Sequence, residues 1–525
     1  MRDFHLPGRS PVFATNGLCA TSHPLASKTA IETLQAGGNA MDAAIAGAVL
    51  LGLCEPAMTG IGGDCFVLWS DGDRKNVHAL NGSGRAPMGL NAAMLRDAGE
   101  TEVPVFTAHA VTIPTAISAF AHLSEKVGKL GLDRLLAPSI HYAEEGIPVP
   151  PRVAFDWENY AHNLQGSARH KYLKNGQPFR TGDIFYCPEQ AEVLRRIAKN
   201  GASAFYTGEV AEDMVNTLRA AGGHHTLDDF AQASCEETRA ISGAYKDVEV
   251  VEHPPNGQGA TAILMLNILA QFDIAAMDPM GVERAHIEAE AAKLAYDARN
   301  RFLSDPDYMT RLDHMLDVEL AKKLAALIDP KKAMAAAAPL TEAVHKETIY
   351  ITVVDRDGMA VSLIYSVFKD FGSGIASDKF GILMQNRGAG FTLEAGHPNE
   401  LMGGKRPMHT IIPAMLKKNG KVIMPFGVMG GAYQPNGHAR VVTNMVDFGM
   451  DPQAALDAPR SFSDAGNMQV ERGYSDSVRQ ELADMGHDVS IPQTAIGGAQ
   501  AILMHENGVL EGASDHRKDG CALGY

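Results

Sequence analysis

The chain has 525 residues, of which 45% are hydrophobic and 21% charged, enough to bury a substantial core and outside the composition of disordered chains. Lys+Arg 46 against Asp+Glu 62 leaves a net charge of −16, which disfavours nucleic acid and anionic membranes as partners because both require a basic footprint. Small molecules are the expected partners.

The N-terminal stretch "MRDFHLPGRSPVFATNG" places Pro7 and Pro11 where a secretion signal needs a continuous apolar run, and the longest nearly uncharged run, Ala43 to Cys54, is too short to span a bilayer. A cytoplasmic location is expected. Cys19, Cys54, Cys65, Cys187, Cys235 and Cys521 are scattered, with neither CxxC nor zinc spacing, and read as reduced thiols. From Pro24 to Cys54 the pattern is helical twice: "PLASKTAIETLQAGG" stops at Gly37 and Gly38, and "NAMDAAIAGAVLLGLC" opens on Asn39 as N-cap. Gly60, Gly62 and Gly63 then make a turn into a strand ending near Trp69.

Between Pro114 and Leu327 helical periodicity dominates, as in "EQAEVLRRIAKNG", "EVAEDMVNTLRAAGG" and "ERAHIEAEAAKLAYDARNRFL", with one clear strand at "YKDVEVVEH". After Asp329 comes an Ala-rich linker broken by Pro330 and Pro339. From Thr348 the pattern turns to strands, "TIYITVVD", "MAVSLIYSVF", "GILMQN" and "KVIMPFGV", with a helix at "GHARVVTNMVDFG". Helices mostly before the linker and strands mostly after it predict an α+β layered fold. No internal repeat of fixed period is found.

Several residues could carry chemistry, and each has a plainer reading. Thr348 is an ordinary strand-starting residue unless the bond after Glu347 is cut; it would then hold a hydroxyl nucleophile beside its own α-amine, whose reference pKa of roughly 7.7–8.0 suits a base. Gly430 and Gly431 follow a predicted strand and are either a simple turn or a pair of N–H donors for an oxyanion. Gly257 and Gly259 between a strand and a helix suggest phosphate binding only superficially, since the third glycine and a P-loop Lys are missing. His286 and Glu290 lie one helical turn apart and could share a metal, yet no third ligand is evident, so no metal is expected. His224 and His225 precede a helix capped by Thr226.

Taken together the segments resemble the γ-glutamyltransferase family of N-terminal-nucleophile hydrolases over nearly the whole chain. The resemblance is carried by "ATSHPLASKTAIETLQAGGNAMDAAIA", "EPAMTGIGGDCF", "HPPNGQGATAILMLNIL", "TIYITVVDRDGMAVSLIYS", "FGSGI", "GGKRPMHTIIPAM", "MGGAYQPNGHARVVTNMVDFGMDPQAALDAPR" and "GASDHRKDG" in the family's order. It implies a four-layer αββα sandwich, self-cleavage between Glu347 and Thr348, and entwined fragments of residues 1–347 and 348–525. It also implies Thr348 as nucleophile, Ser366 as the hydroxyl assisting the new N-terminus, and Gly430 and Gly431 as the oxyanion hole. No metal or organic cofactor is implied. The partners are a small-molecule amide and water as acyl acceptor, and a homo-oligomer remains open.

The substrate pocket departs from the family's transpeptidases. Where those carry Asn, Gln and Asp around a substrate ammonium, this chain has Phe368, Arg387 and Gly390; their paired serines become His409 and Thr410, and their arginine becomes Ser83, with Arg85 two residues on. A pocket of Arg387, His409, Thr410 and Arg85 is expected to be cationic and to take a carboxylate rather than an ammonium. This resembles the amidohydrolase branch, with its oxamate amidohydrolase and cephalosporin acylases. The segment "AGFTLEAGHPNELMGGKRP" is short for a lid, which favours hydrolysis over transfer. Three other readings stay open: a true glutathione hydrolase, a nucleotide-dependent enzyme resting on Gly257 and Gly259, and a non-catalytic acid-binding protein, the last because Tyr350 replaces the usual His.

Overall fold

The computed structural model describes residues 8–334, 348–464 and 466–525. Two seven-stranded sheets face each other, and helices cover both outer faces, giving four layers in the order αββα. From edge to edge the first sheet runs Cys521–Gly524, Gly17–Thr21, Ile349–Asp355, Ala360–Ser366, Asp64–Ser70, His78–Gly82 and Glu236–Thr238. The second runs Val12–Ala14, Leu510–Ser514, Gly498–Met504, Lys421–Met429, Ala414–Lys418, Val248–Glu252 and Ile241–Tyr245. All neighbours in both sheets are antiparallel.

Because each sheet has a helical layer behind it and the other sheet in front, central strands are buried on both faces. That explains why "IYITVVD" is apolar almost throughout instead of alternating. The helix Ala40–Cys54 is buried along its whole length and starts with a reciprocal cap, Asn39 Oδ1 accepting from Asp42 N at 3.0 Å and Asp42 Oδ2 accepting from Asn39 N at 3.0 Å. The layer between the sheets holds Leu18, Leu68, Val251, Val354, Met415 and Ile502, and a separate cluster of Phe66, Tyr350, Ile364, Ile411 and Met429. Gly427 lets the sheets approach at that cluster: a Cβ there would stand 2.3 Å from the Tyr350 ring.

The predicted helices appear at Pro24–Gln35, Ala40–Cys54, Pro188–Asn200, Gly208–Ala220, Val282–Phe302 and Gln434–Val446. Two expectations are corrected. The lone middle strand is half of a hairpin, Ile241–Tyr245 with Val248–Glu252, turned at Lys246. "GILMQN" forms no ladder; its amides serve loops, Ile382 N donating to Ser377 Oγ and Gln385 N to Gly62 O. Among the described residues no helix is long and apolar enough to cross a membrane, and all six cysteines are unpaired.

Candidate active site

The register of the first sheet assembles a polar row at one end of the inter-sheet layer. Ile349 is opposite Tyr365, so Thr348 falls opposite Ser366; Ser366 pairs with Asp64; and Cys65 pairs with Gly82, which brings Ser83 opposite Asp64. Cross-strand partners share a sheet face, so Thr348, Ser366, Asp64 and Ser83 point the same way, across about 14 Å at the usual strand spacing. Two residues further in, on the same face, Tyr350, Ile364 and Phe66 belong to the apolar cluster. The polar row is therefore the rim of a core, with all four members almost fully buried.

Thr348 Oγ1 lies 3.3 Å from Ser366 Oγ, which also accepts from Phe368 N at 2.8 Å. Phe368 has φ 82°, a left-handed conformation that bulky residues rarely hold; its ring lies beneath Arg387, 3.9 Å from the guanidinium carbon. Arg387 donates to Thr410 Oγ1 at 2.9 Å and reaches Ser366 Oγ at 3.5 Å, while its buried Nε has no acceptor. Burial lowers the Arg387 pKa to about 9, and the nearby Asp64 carboxylate holds it up.

Gly430 and Gly431 follow the strand Lys421–Met429 with φ 118° and 57°. Both need glycine, and a Cβ on Gly430 would come 3.0 Å from the Gly497 backbone. Met429, just before them, packs against Tyr350, two residues after Thr348, so the glycine turn and Thr348 lie at one end of facing strands. Gln258 ties this turn to the pocket, donating to the Gly431 carbonyl at 2.9 Å and the Thr410 carbonyl at 2.6 Å, and its own oxygen accepts from Arg299.

His409 and Asp64 change the expected charge of the pocket. His409 Nε2 lies 3.3 Å from Asp64 Oδ2, and burial together with the Arg387 charge holds the imidazole well below its usual pKa, so it is neutral at pH 7. Asp64 Oδ1 accepts from Gln385 at 2.8 Å and Thr115 at 3.2 Å, and burial raises its carboxyl to about 6. Of the residues expected to make the pocket cationic, Arg387 carries the charge and His409 is neutral, and an acid from another strand, Asp64, lies beside His409 and under the influence of Arg387.

Arg85 is not gathered with these residues. Its side chain is 37% exposed and donates to the Gly404 carbonyl, Glu236 and, at 3.5 Å, Asp305. It lines a cavity of about 170 Å³ that touches Ser83 and Thr115 at the outer end of the polar row. Ser83 is held by Asn81 and Asn256. Glu347 lies outside the described residues. Gly257 and Gly259 flank Gln258, whose side-chain amide is engaged by the Thr410 and Gly431 carbonyls. His286 and Glu290 gain a third neighbour, His487, with His286 Nδ1 2.8 Å from His487 Nε2. Glu290 is occupied by Lys293 and Met334 N, and His286 Nε2 faces the Asp329 carbonyl.

The family model for γ-glutamyltranspeptidase matches residues 26–525. The chain belongs to the γ-glutamyltranspeptidase family. It is 35% identical over 98% of its length, and 99% of the relative's, to the glutathione hydrolase-like YwrD proenzyme of Bacillus subtilis. To the oxamate amidohydrolase proenzyme of Klebsiella pneumoniae it is 31% identical, with the same shares covered. Its fold matches the crystal structure of cephalosporin acylase from Bacillus halodurans with TM-score 0.93 and 37% identity, covering 100% of this chain and 99% of that one. γ-Glutamyltranspeptidase-family members are N-terminal-nucleophile enzymes made as proenzymes, so this chain is an enzyme of that class with the four-layer fold its sequence predicts.

Proposed function

We propose that the chain cuts itself before Thr348 and then hydrolyses the amide of a small acyl group bearing a carboxylate. In processing, Thr348 Oγ attacks the Glu347 carbonyl carbon, the peptide C–N bond breaks, and the proton passes to the Thr348 nitrogen. Water cleaves the resulting ester, leaving a Glu347 carboxylate and a free Thr348 amine. In turnover the amine takes the hydroxyl proton as Oγ attacks the substrate carbonyl and returns it to the leaving amine; Gly430 and Gly431 amides receive the oxyanion, and water releases the acid.

The observation that carries this reading is Arg387, fully buried, one hydroxyl away from Thr348 through Ser366, with an Nε–H that lacks an acceptor. A buried donor without a partner is costly, and a substrate carboxylate would satisfy it. The oxamate amidohydrolase among the relatives is named for such an acid amide. Side-by-side assay of oxamate, a glutaryl amide and a γ-glutamyl amide tests the proposal. Preference for the first two, lost in Arg387→Gln, is expected; preference for the γ-glutamyl amide with no effect of that substitution would overturn it in favour of a glutathione hydrolase.

A further inference from the structure

Asp64 is the one charged member of the polar row, and it has no role in the chemistry above. It is the first residue of a strand and precedes Thr348 by 284 positions in sequence, and its carboxylate is fully buried 3.3 Å from His409 Nε2, across the strand from Ser366, which Arg387 reaches at 3.5 Å. Its oxygens are occupied: Gln385 and Thr115 on Oδ1, His409 on Oδ2, and the Gly84 amide as a further donor. A carboxylate so saturated has no lone pair left for a substrate ammonium. What reaches the substrate is its charge, which opposes that of Arg387.

We propose that Asp64 is a specificity-determining positioning residue: as the counter-charge of Arg387 it limits the acyl group of the substrate to a single negative charge. The inference rests on the reading that a substrate carboxylate pairs with Arg387. One carboxylate can replace Asp64 as the nearer partner of the guanidinium; a second negative charge then faces Asp64 in a water-poor pocket, where repulsion is weakly screened. Through Nε2, Asp64 also fixes the orientation of His409, whose Nδ1 is directed to Ile411 N at 3.4 Å.

The groups facing Asp64 are few. Arg387 remains cationic below its pKa of about 9, His409 remains neutral, and the Cys65 thiol and Tyr206 phenol on neighbouring elements are pushed up by burial and carry no charge near neutrality. With its pKa raised to about 6, Asp64 gains its charge as pH rises through that value, so anion affinity falls over the same interval. The Thr348 amine of a cut chain loses its own charge nearer 8, and its small contribution towards pH 7.5 is common to wild type and Asp64→Asn.

The test is calorimetric binding to the processed wild-type protein of pyruvate, an unhydrolysable isostere of oxamate, and of oxalate. Both keep their charge between pH 5 and 7.5. Wild-type affinity for pyruvate is expected to fall about tenfold from pH 5 to 7.5, an electrostatic effect of the usual size for partly buried charges. Asp64→Asn should bind pyruvate more tightly than wild type at pH 7.5, show no such pH dependence, and gain still more for oxalate. A merely structural Asp64 would make the variant bind both anions more weakly, which overturns the proposal; so does a pH-independent wild type, a measurement that needs no variant to fold. Arg387→Gln separates the two readings: if it binds pyruvate as well as wild type does, the carboxylate reading itself fails, whereas loss of binding there with no change in Asp64→Asn sinks only the inference about Asp64.

Discussion

A threonine hydroxyl is a poor nucleophile, and Thr348 in its proposed role would gain reactivity only from its surroundings: Ser366 at 3.3 Å, a rigid sheet terminus, and the amine that self-cleavage would create. Thr348→Ala is therefore expected to remain a single chain on a denaturing gel and to lose activity by at least about a thousandfold; two bands or retained turnover would contradict this. Arg387→Gln removes a charged partner from a buried carboxylate, and the usual worth of such a bond puts the expected rise in KM for acid amides at about tenfold or more with a smaller change in kcat, read from steady-state kinetics. Of these residues, Thr348, Ser366, His409 and the two glycines were singled out in the sequence because each lies inside a segment similar to the family, and Arg387 because it departs from the transpeptidase pattern. Asp64 and Gln258 were not, although both stand in quoted segments. Neither belongs to a local spacing pattern; their partners, Arg387 and His409 for one and Gly431 for the other, are between 173 and 345 residues away, and only the tertiary fold brings them together.

At the level of elements, the strand pair starting at Thr348 and ending at Ser366 was readable from β-branched content and the turn between them. The hairpin around Lys246 was half missed because Ile241–Tyr245 carries Gly243 and polar residues on an edge, where burial does not impose an apolar pattern. "GILMQN" misled in the opposite sense: Ile382, Leu383 and Met384 are buried because they pack into the core between the first sheet and its helices, not because they pair in a sheet. Gly427 gives this scale its prediction. Gly427→Ala drives a methyl into the Tyr350 ring, and overpacking of this kind costs about 1–3 kcal/mol. Chemical denaturation is expected to show that loss, accompanied by slower processing since Tyr350 and Thr348 share a strand; unchanged stability would mean the sheets can part more easily than their packing implies.

For the whole molecule, buried titratable groups set the response to acid. Burial lowers His23 and His225 to about 4 and His409 well below its usual value, so their stabilising neutral forms are complete above the unfolded histidine pKa and lost as pH falls toward the folded values. Asp64 at about 6 and Glu55 at about 7 act with the opposite sign, their raised values favouring the fold at low pH and withdrawing that support as pH rises through them. Asp515, buried between Arg460 and Arg517, is held far below the ordinary carboxylate range, and its support is lost only at more acid pH, below about 4. From pH 6.5 to 4 the depressed histidines, six with His109, His253 and His487 included, outnumber the raised carboxyls Asp64, Glu55, Glu252 and Asp355, so stability is expected to fall, measurable by denaturant titration at each pH; a flat or rising profile would contradict the balance.

Both sheets pair strands from either side of position 348: Ile349–Asp355 lies against Gly17–Thr21, Ala360–Ser366 against Asp64–Ser70, and Ala414–Lys418 against Val248–Glu252. Scission before Thr348 thus severs the covalent thread without loosening the weave, and the two pieces should travel together through gel filtration until denaturant is added. The more lasting effect is on the way back. An intact precursor can regain this arrangement by a unimolecular search, whereas cut pieces must first meet, and each alone holds sheets with missing neighbours that invite self-association. Heat or denaturant should accordingly act on the matured protein as a one-way exit, with recovery depending on dilution in a manner the precursor never shows.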